Sequence, residues 1–340
     1  MKYHLAILGI TVLCYSCSST NLMSLSVTEP APVSLPPNAR SAAVVNRSRA
    51  DDANRTIDAI HRVISVESKS LQTDGAKASV DGLSNELMKT GRFSTVRSLD
   101  NLDLRSYGAG VFPSSLPWDS VEKICRESNT DLLFSLELFD AESRVGIGPG
   151  GLMTAITNVP TQVSMNTQVK TGWRIYDPYS RTILDEYVLS RDLSFQSRGL
   201  DPSSLFGRKE AVKDAGNNAG QAYASRIVPY SIRVSRYYFV RGNSNFIVAK
   251  RMARTGNWDG AAGLWKESTN SSSRKAAGRA CYNMAISSEI NGDLSGAIQW
   301  AQKAYEVYNV RLALSYVNLL RQRQSANEVL KSQTEVTSAP

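Results

Sequence analysis

Between residues 249 and 301 the chain repeats itself, and no other feature limits its fold so closely. Ala249 recurs as Ala285, Gly256 as Gly292, Trp258 as Leu294, Ala261 as Ala297 and Trp265 as Ala301, each at a shift of 36 residues (285 − 249). One copy reads Ala-Arg-Thr-Gly-Asn-Trp-Asp-Gly-Ala-Ala, the other Glu-Ile-Asn-Gly-Asp-Leu-Ser-Gly-Ala-Ile. Self-similarity at such a period marks a helical hairpin that cannot bury its apolar face alone and stacks on a neighbour. Small residues recur where paired helices approach closely, and Gly followed by Asn or Asp supplies the turn between them. The segment from Arg311 to Leu330 continues as an amphipathic helix suited to capping the stack.

These residues resemble the tetratricopeptide repeat, whose standard period is about 34. The surplus fits the loop Asn270-Ser-Ser-Ser273, and Ala304 supplies the later small position of the second copy. Two copies are fewer than the three or so that such an array needs to stand alone. The region 244–325 is therefore expected to pack on the rest of the chain or on a partner. Repeat arrays bind peptides in a concave groove, and Lys250, Arg251, Arg254 and Asn283 are the side chains expected to line it. Ordinary solvated helix faces are the other reading of those four residues.

The amino terminus has a different character. Residues 1–16 carry one early cation, Lys2, then the apolar run Leu5 to Leu13, then Cys14-Tyr-Ser16. That is a secretory signal, and its apolar run is too short for the about 20 residues that span a bilayer. Cys17-Ser-Ser-Thr follows, and a small residue before Cys resembles the bacterial lipobox, in which the thiol receives diacylglycerol. Cys14 and Tyr15 depart from the commonest box, as they do in relaxed boxes of Bacteroidota. The alternative is a cleaved signal with an incidental Cys. Residues 17–41, rich in Ser and Pro and almost uncharged, are expected to form an extended tether. They hold no acidic surface-export cluster, which points to a periplasm-facing outer-membrane location.

Between 42 and 241 the pattern alternates between elements. Strands are expected at Ala42–Asn46, Phe93–Val96 and Asp131–Phe139, then a hairpin, Gln168–Tyr176 and Thr182–Leu189, around the turn Asp177-Pro-Tyr-Ser-Arg181. An edge strand over Ile232–Val240 completes the set. Helical spacing of apolar residues marks Arg55–Val66, Lys77–Met88, Trp118–Arg126 and Arg208–Ile227. The order predicts a mixed sheet covered by helices, and it resembles the TolB amino-terminal domain and CsgG-type lipoproteins. The fold class is thus α+β: a mixed-sheet α/β domain, then tetratricopeptide-like helices. Residues 326–340 are expected to be a disordered tail.

The residues speak against catalysis and metal binding. Only His4 and His61 are present, His4 lies in the leader, and no GxSxG nucleophile motif occurs. Cys125 and Cys281 are far apart and form no CxxC; a disulfide between them is one reading, but their apolar settings favour buried thiols. Gly146-Ile-Gly-Pro-Gly-Gly151 matches GxGxxG in letters, yet Pro149 interrupts it and no helix pattern follows, so it reads as a loop or hairpin tip. Asp51-Asp52 with Asp100 and Asp103 match no calcium loop. Asp185 and Glu186 alternate on a strand and so point to opposite faces. No cofactor is implied. The net charge of +8 reflects 39 Lys and Arg against 31 Asp and Glu, spread without a basic run, and reads as solubility rather than nucleic-acid binding.

A wider resemblance joins these parts. Leu25-Ser-Val-Thr-Glu-Pro-Ala-Pro32, Gly110-Val-Phe-Pro113, Val121-Glu-Lys-Ile-Cys125, Thr171-Gly-Trp-Arg-Ile-Tyr-Asp-Pro178, Gly207-Arg-Lys-Glu-Ala-Val-Lys213 and Thr255-Gly-Asn-Trp-Asp-Gly-Ala-Ala262 resemble the Bacteroidota lipoproteins of "domain of unknown function 6340" over nearly the whole mature chain. The resemblance implies export and this two-part architecture and brings no activity. The function expected is an envelope scaffold or assembly lipoprotein, held to the membrane by its lipid, that binds a protein partner. The alternative is a periplasmic ligand- or glycan-binding accessory lipoprotein.

Overall fold

The computed structural model describes residues 19–48, 59–99, 102, 112–147, 162–198 and 202–337. The leader, Cys17, His4, Asp51, Asp52, Asp100, Asp103 and most of the glycine-rich segment 146–151 lie outside those residues. The strands are β1 (Thr20–Glu29), β2 (Ser41–Asn46), β3 (Thr95–Leu99), β4 (Leu132–Ile147), β5 (Gln162–Asp177), β6 (Thr182–Arg198) and β7 (Tyr230–Phe239). The helices are α1 (Ala59–Lys89), α2 (Trp118–Ser128), α3 (Pro202–Ala224), α4 (Ser244–Arg254), α5 (Trp258–Ser268), α6 (Arg274–Ile290), α7 (Leu294–Glu306) and α8 (Arg311–Thr337). The chain divides into two compact units. One takes Ala31–Pro229 with the last residues from Gln333, the other Tyr230–Ser332 with the amino-terminal strand.

In the first unit five strands form a mixed sheet in the order β3-β2-β4-β5-β6. β2 runs parallel to β3 and β4, whereas β5 is antiparallel to both β4 and β6. β2 is an interior strand and its run Ala42-Ala-Val-Val45 is buried throughout, as a strand covered on both faces requires. Leu71, Leu83 and Leu87 of α1 and Val212 and Tyr223 of α3 pack with Val44, Phe134 and Trp173 on one side. Val121, Ile124 and Cys125 of α2 cover Val45, Leu133 and Tyr176 on the other. The sequence predicts two helices where α1 is one. Gly75 lies between them inside the continuous helix, and a Cβ there would lie 2.3 Å from the Phe139 ring, so the packing calls for Gly. α1 and α3 touch backbone to backbone: a Cβ on Gly220 would lie 2.1 Å from the Ser79 carbonyl oxygen, and one on Gly82 2.3 Å from that of Asn217.

The second unit pairs β1 with β7 in register from Thr20↔Phe239 to Glu29↔Tyr230. Residues 20–29, expected to be tether, are therefore strand. Leu25 and Val27 face the same side as Met23, and β7 supplies the hydrogen bonds that a lone Ser-rich segment lacks. β7 likewise leaves the sheet to which the sequence assigns it. The helices α4–α7 carry the repeat in detail. Ala249 and Ala285, Ala261 and Ala297, and Trp265 and Ala301 are all fully buried. Gly256 and Gly292 share the left-handed conformation, at φ 81° and 79°, which favours Gly. Asn257 and Asp293 then cap α5 and α7 by accepting from Gly260 N (2.9 Å) and Gly296 N (2.8 Å). The expected tail is corrected too: α8 continues to Thr337, since Gln, Ala, Glu, Leu and Lys there favour helix and no Gly or Pro ends it.

Candidate functional site

The helix that carries Asn283 is covered by the chain's own strand. α6 is the most enclosed helix of its unit, with Tyr282, Asn283, Ile286 and Glu289 all buried. β7 lies along it. The Phe239 N–H donates to Asn283 Oδ1 (2.7 Å), and Asn283 Nδ2 donates to the Phe239 carbonyl (2.7 Å). One amide thus satisfies both polar groups of a strand residue, the way a groove would hold an extended peptide. The Phe239 ring meets Tyr282 edge-on at 5.3 Å, and Tyr282 lies 5.4 Å from Tyr316 of α8. Asn283 is consequently not a solvated partner-binding residue. Of the other three expected groove residues, Arg251 and Arg254 are exposed and Lys250 half-buried, together on α4. With Ile247, 60% exposed, Arg251 and Arg254 recur at i, i+4 and i+7, one open helix face.

Beyond Asn283 the same helix carries a buried carboxylate. Arg236 of β7 grips Glu289 with two bonds, Nε to Oε2 and Nη2 to Oε1, each 2.9 Å. Tyr316 donates its hydroxyl to Oε2 (2.6 Å), and Arg323 donates Nη1 to Oε1. Burial alone would raise the Glu289 pKa, but the Arg236 and Tyr316 hydrogen bonds and the Arg236 charge hold it below the ordinary carboxylate value. Burial and that carboxylate push the Tyr316 phenol far up. Both oxygens are engaged, so the group joins β7, α6 and α8 and has no lone pair directed at a substrate.

A second cluster of the same composition sits in the first unit. Glu137 stands at the bulge where the β4–β5 register shifts between Leu136 and Leu138. Its buried carboxylate accepts from Arg47 Nη1 (2.6 Å) and from the Tyr176 hydroxyl (2.6 Å), with Arg174 Nη1 at 3.8 Å. Burial and the Glu137 charge push the Tyr176 phenol up to about 12. Arg47 also donates to the Ser114 carbonyl (2.8 Å) and Arg174 to that of Pro113 (2.7 Å), while Leu116 N donates to the Tyr176 hydroxyl (3.1 Å). The Arg174 guanidinium lies 4.4 Å from the Phe112 ring centroid. A Cβ on Gly172 would lie 2.5 Å from that ring, so Gly172 is what lets Phe112 settle on the sheet. The cluster sews residues 112–116 to the sheet. Asp185 and Glu186 part as their alternation predicts: Asp185 takes Arg226 (2.9 Å) and Glu186 takes Arg174 (2.7 Å). The thiols of Cys125 and Cys281 are buried and free, and burial pushes the Cys125 thiol up to about 11.

Charge divides between the units in a way that the evenly spread sequence conceals. Tyr230–Ser332 holds 15 Lys and Arg against 6 Asp and Glu, leaving 24 against 25 elsewhere. The helical unit thus carries the whole positive balance, a signal legible only once the unit boundary is known.

Comparison with known proteins adds family and no activity. Residues 39–239, well over half of the chain, match "Domain of unknown function (DUF8603)". The chain belongs to the DUF8603 family. Residues 248–322 match "Domain of unknown function (DUF6340)", so the resemblance expected over nearly the whole chain is carried by the repeat helices. The DUF8603 span runs from Ala39, just before β2, to Phe239 at the end of β7. Curated proteins provide no match. Among solved structures, a PelC dodecamer from Paraburkholderia phytofirmans is 11% identical, over 61% of this chain and 98% of that one, at a TM-score of 0.23. A neuraminyllactose-binding hemagglutinin homolog from Helicobacter pylori is 12% identical, over 58% and 87%, at 0.29. Neither score is high enough to carry an argument about this DUF8603 member.

Proposed function

We propose that this chain is a Bacteroidota outer-membrane lipoprotein, anchored through diacylglycerol on Cys17 and facing the periplasm, that serves as a scaffold rather than an enzyme. Its tetratricopeptide-like helices bind a protein partner. The observation that supports this reading is the open face of α4, where Ile247 and Val248 are exposed beside Arg251 and Arg254. An apolar anchor ringed by arginines suits a protein interface. With β7 seated along α6, the partner meets that outer face rather than the groove.

The test places a photo-crosslinking residue at Ile247 in the lipidated protein, with Tyr179 of the sheet unit as control. A protein captured from Ile247 alone, and lost in Arg251→Glu/Arg254→Glu, is the expected result. Capture of none, together with a bound sugar or small molecule in native mass spectrometry, would instead favour a ligand-binding accessory. Anchoring is tested separately: Cys17→Ala should move the protein to the soluble periplasm or leave the precursor uncleaved, and unchanged membrane partitioning would sink the lipid reading.

A further inference from the structure

The start of β1 determines which part of the helical unit stands nearest the amino terminus. Val240 N donates to the Ser19 carbonyl (2.9 Å), and Thr20 faces Phe239. Cys17 is two residues before Ser19 in the sequence. On the reading of Cys17 as lipidated, the end of the unit beside Val240 is the end that meets the bilayer.

That end is basic. Arg241 follows Val240, and Arg279 Nη1 donates to the Arg241 carbonyl (2.7 Å). The Arg279 guanidinium lies 5.0 Å from the Phe239 ring centroid. Burial and the Arg241 charge lower the Arg279 pKa, the opposite of what a carboxylate partner would do. Arg274 and Lys275 occupy the first turn of α6, with Arg274 donating to the Val307 carbonyl. Arg311 follows Val310, whose side chain lies 3.0 Å from where a Gly278 Cβ would sit. Two acids stand near: Glu267, reached by Asn245 Nδ2 (3.1 Å), and Glu306, next to Val307. Neither takes an ion pair from these cations among the described residues. Leu22 and Tyr237, 57% and 55% exposed, face each other two register pairs further along the ribbon. Tyr is enriched where protein meets the headgroup layer. At the opposite end of these helices acids cap and pair instead: Asp293 caps α7, and Asp259 accepts from Asn291 (3.2 Å).

We infer that Arg241, Arg274, Lys275, Arg279 and Arg311 form a second membrane contact that docks on anionic phospholipid headgroups beside the lipidated cysteine. Guanidinium groups bind phosphate oxygens in a bidentate fork, and an acyl anchor joined to a basic patch holds a protein in one orientation. The acyl chains supply the hold; the patch turns the Asp259 and Asp293 end away from the surface and leaves the α4 face open to a partner.

The test uses the mature chain with Cys17→Ser, which carries no lipid, and sedimentation with phosphatidylcholine vesicles that contain or lack phosphatidylglycerol. Binding is expected only with phosphatidylglycerol and should weaken as salt rises. Lys275→Gln and Arg311→Gln should each lower it roughly fivefold, from the about 1 kcal/mol per cation near an anionic surface. Arg254→Gln, at the far end of α4, should leave it unchanged, and thermal melts confirm that each variant is folded. Equal binding to both vesicle types, or a Lys275→Gln/Arg311→Gln double variant that binds like its parent, would overturn the inference. Either result leaves the lipidation reading intact, because only fractionation of Cys17→Ala decides that.

Discussion

Both units bury a glutamate among two arginines and a tyrosine, and they use the same four side chains differently. In the sheet unit, Glu137 shares its arginines with a loop: Arg47 and Arg174 also bind carbonyls of Ser114 and Pro113, and Glu186 balances Arg174. In the helical unit, Arg236, Arg323 and Tyr316 all converge on Glu289, which leaves one positive charge in excess. The first arrangement fastens a segment onto a sheet that is already complete. The second holds a two-stranded ribbon onto helices, and such a ribbon is marginal by itself. Removing a buried charge from a pair costs about 3–5 kcal/mol because its partner is left uncompensated, but what comes apart should differ.

Four substitutions and one titration would break or sharpen that contrast. Ala297→Arg should have the largest effect, at or above the about 4 kcal/mol that marks exceptional cases. The site is fully buried at the helix crossing, so the side chain is overpacked and its charge desolvated; a melt unchanged from the parent would mean that no close repeat packing exists. Glu289→Ala should follow, at about 3–5 kcal/mol in denaturant titration, with hydrogen-exchange protection lost in β1 and β7. Loss confined to other segments would refute the role of the cluster as the ribbon's clasp. Glu137→Gln should cost less, about 1–3 kcal/mol, because Arg174 keeps Glu186 and only Arg47 loses its charged partner. Its signature is faster exchange at residues 112–116 with the rest of the sheet protected.

Acid provides a finer comparison. The Glu289 pKa is depressed in the folded chain, so its contribution is complete above the unfolded carboxylate value of about 4.3. It is lost as pH falls below that value and through the folded pKa. The parent's helical unit should therefore lose stability over that interval more steeply than Glu289→Gln, as followed by near-ultraviolet dichroism of Trp258 and Trp265. Parallel curves would show that the carboxylate is not the acid-sensitive group. The smallest effect belongs to Lys250→Ala, which should stay within about 0.5 kcal/mol. Lys250 is half-buried on α4, so a larger loss would mean that the α4 face is structural rather than open.

The sequence by itself determined what depends on neighbours along the chain. The repeat, its Gly-Asn and Gly-Asp turns and the Asp177 turn are local, and each fell where spacing and residue type put it. So did β2, whose four apolar residues leave no solvated face. Tertiary structure alone decided the rest. β1 pairs with β7 across about 200 residues of chain, and nothing in Thr20–Glu29 announces a partner so distant. Gly weakens an isolated helix, and only the fold accounts for three of them: the Phe139 ring takes the space of a Cβ at Gly75, and the backbone of the facing helix takes it at Gly82 and Gly220. Asn283 reads as a polar groove residue until the Phe239 backbone completes both of its hydrogen bonds. The two glutamate clusters and the basic end of the helical unit arise in the same way. Their members are separated in sequence, and charge has no periodicity that reveals which distant residues the fold will bring together.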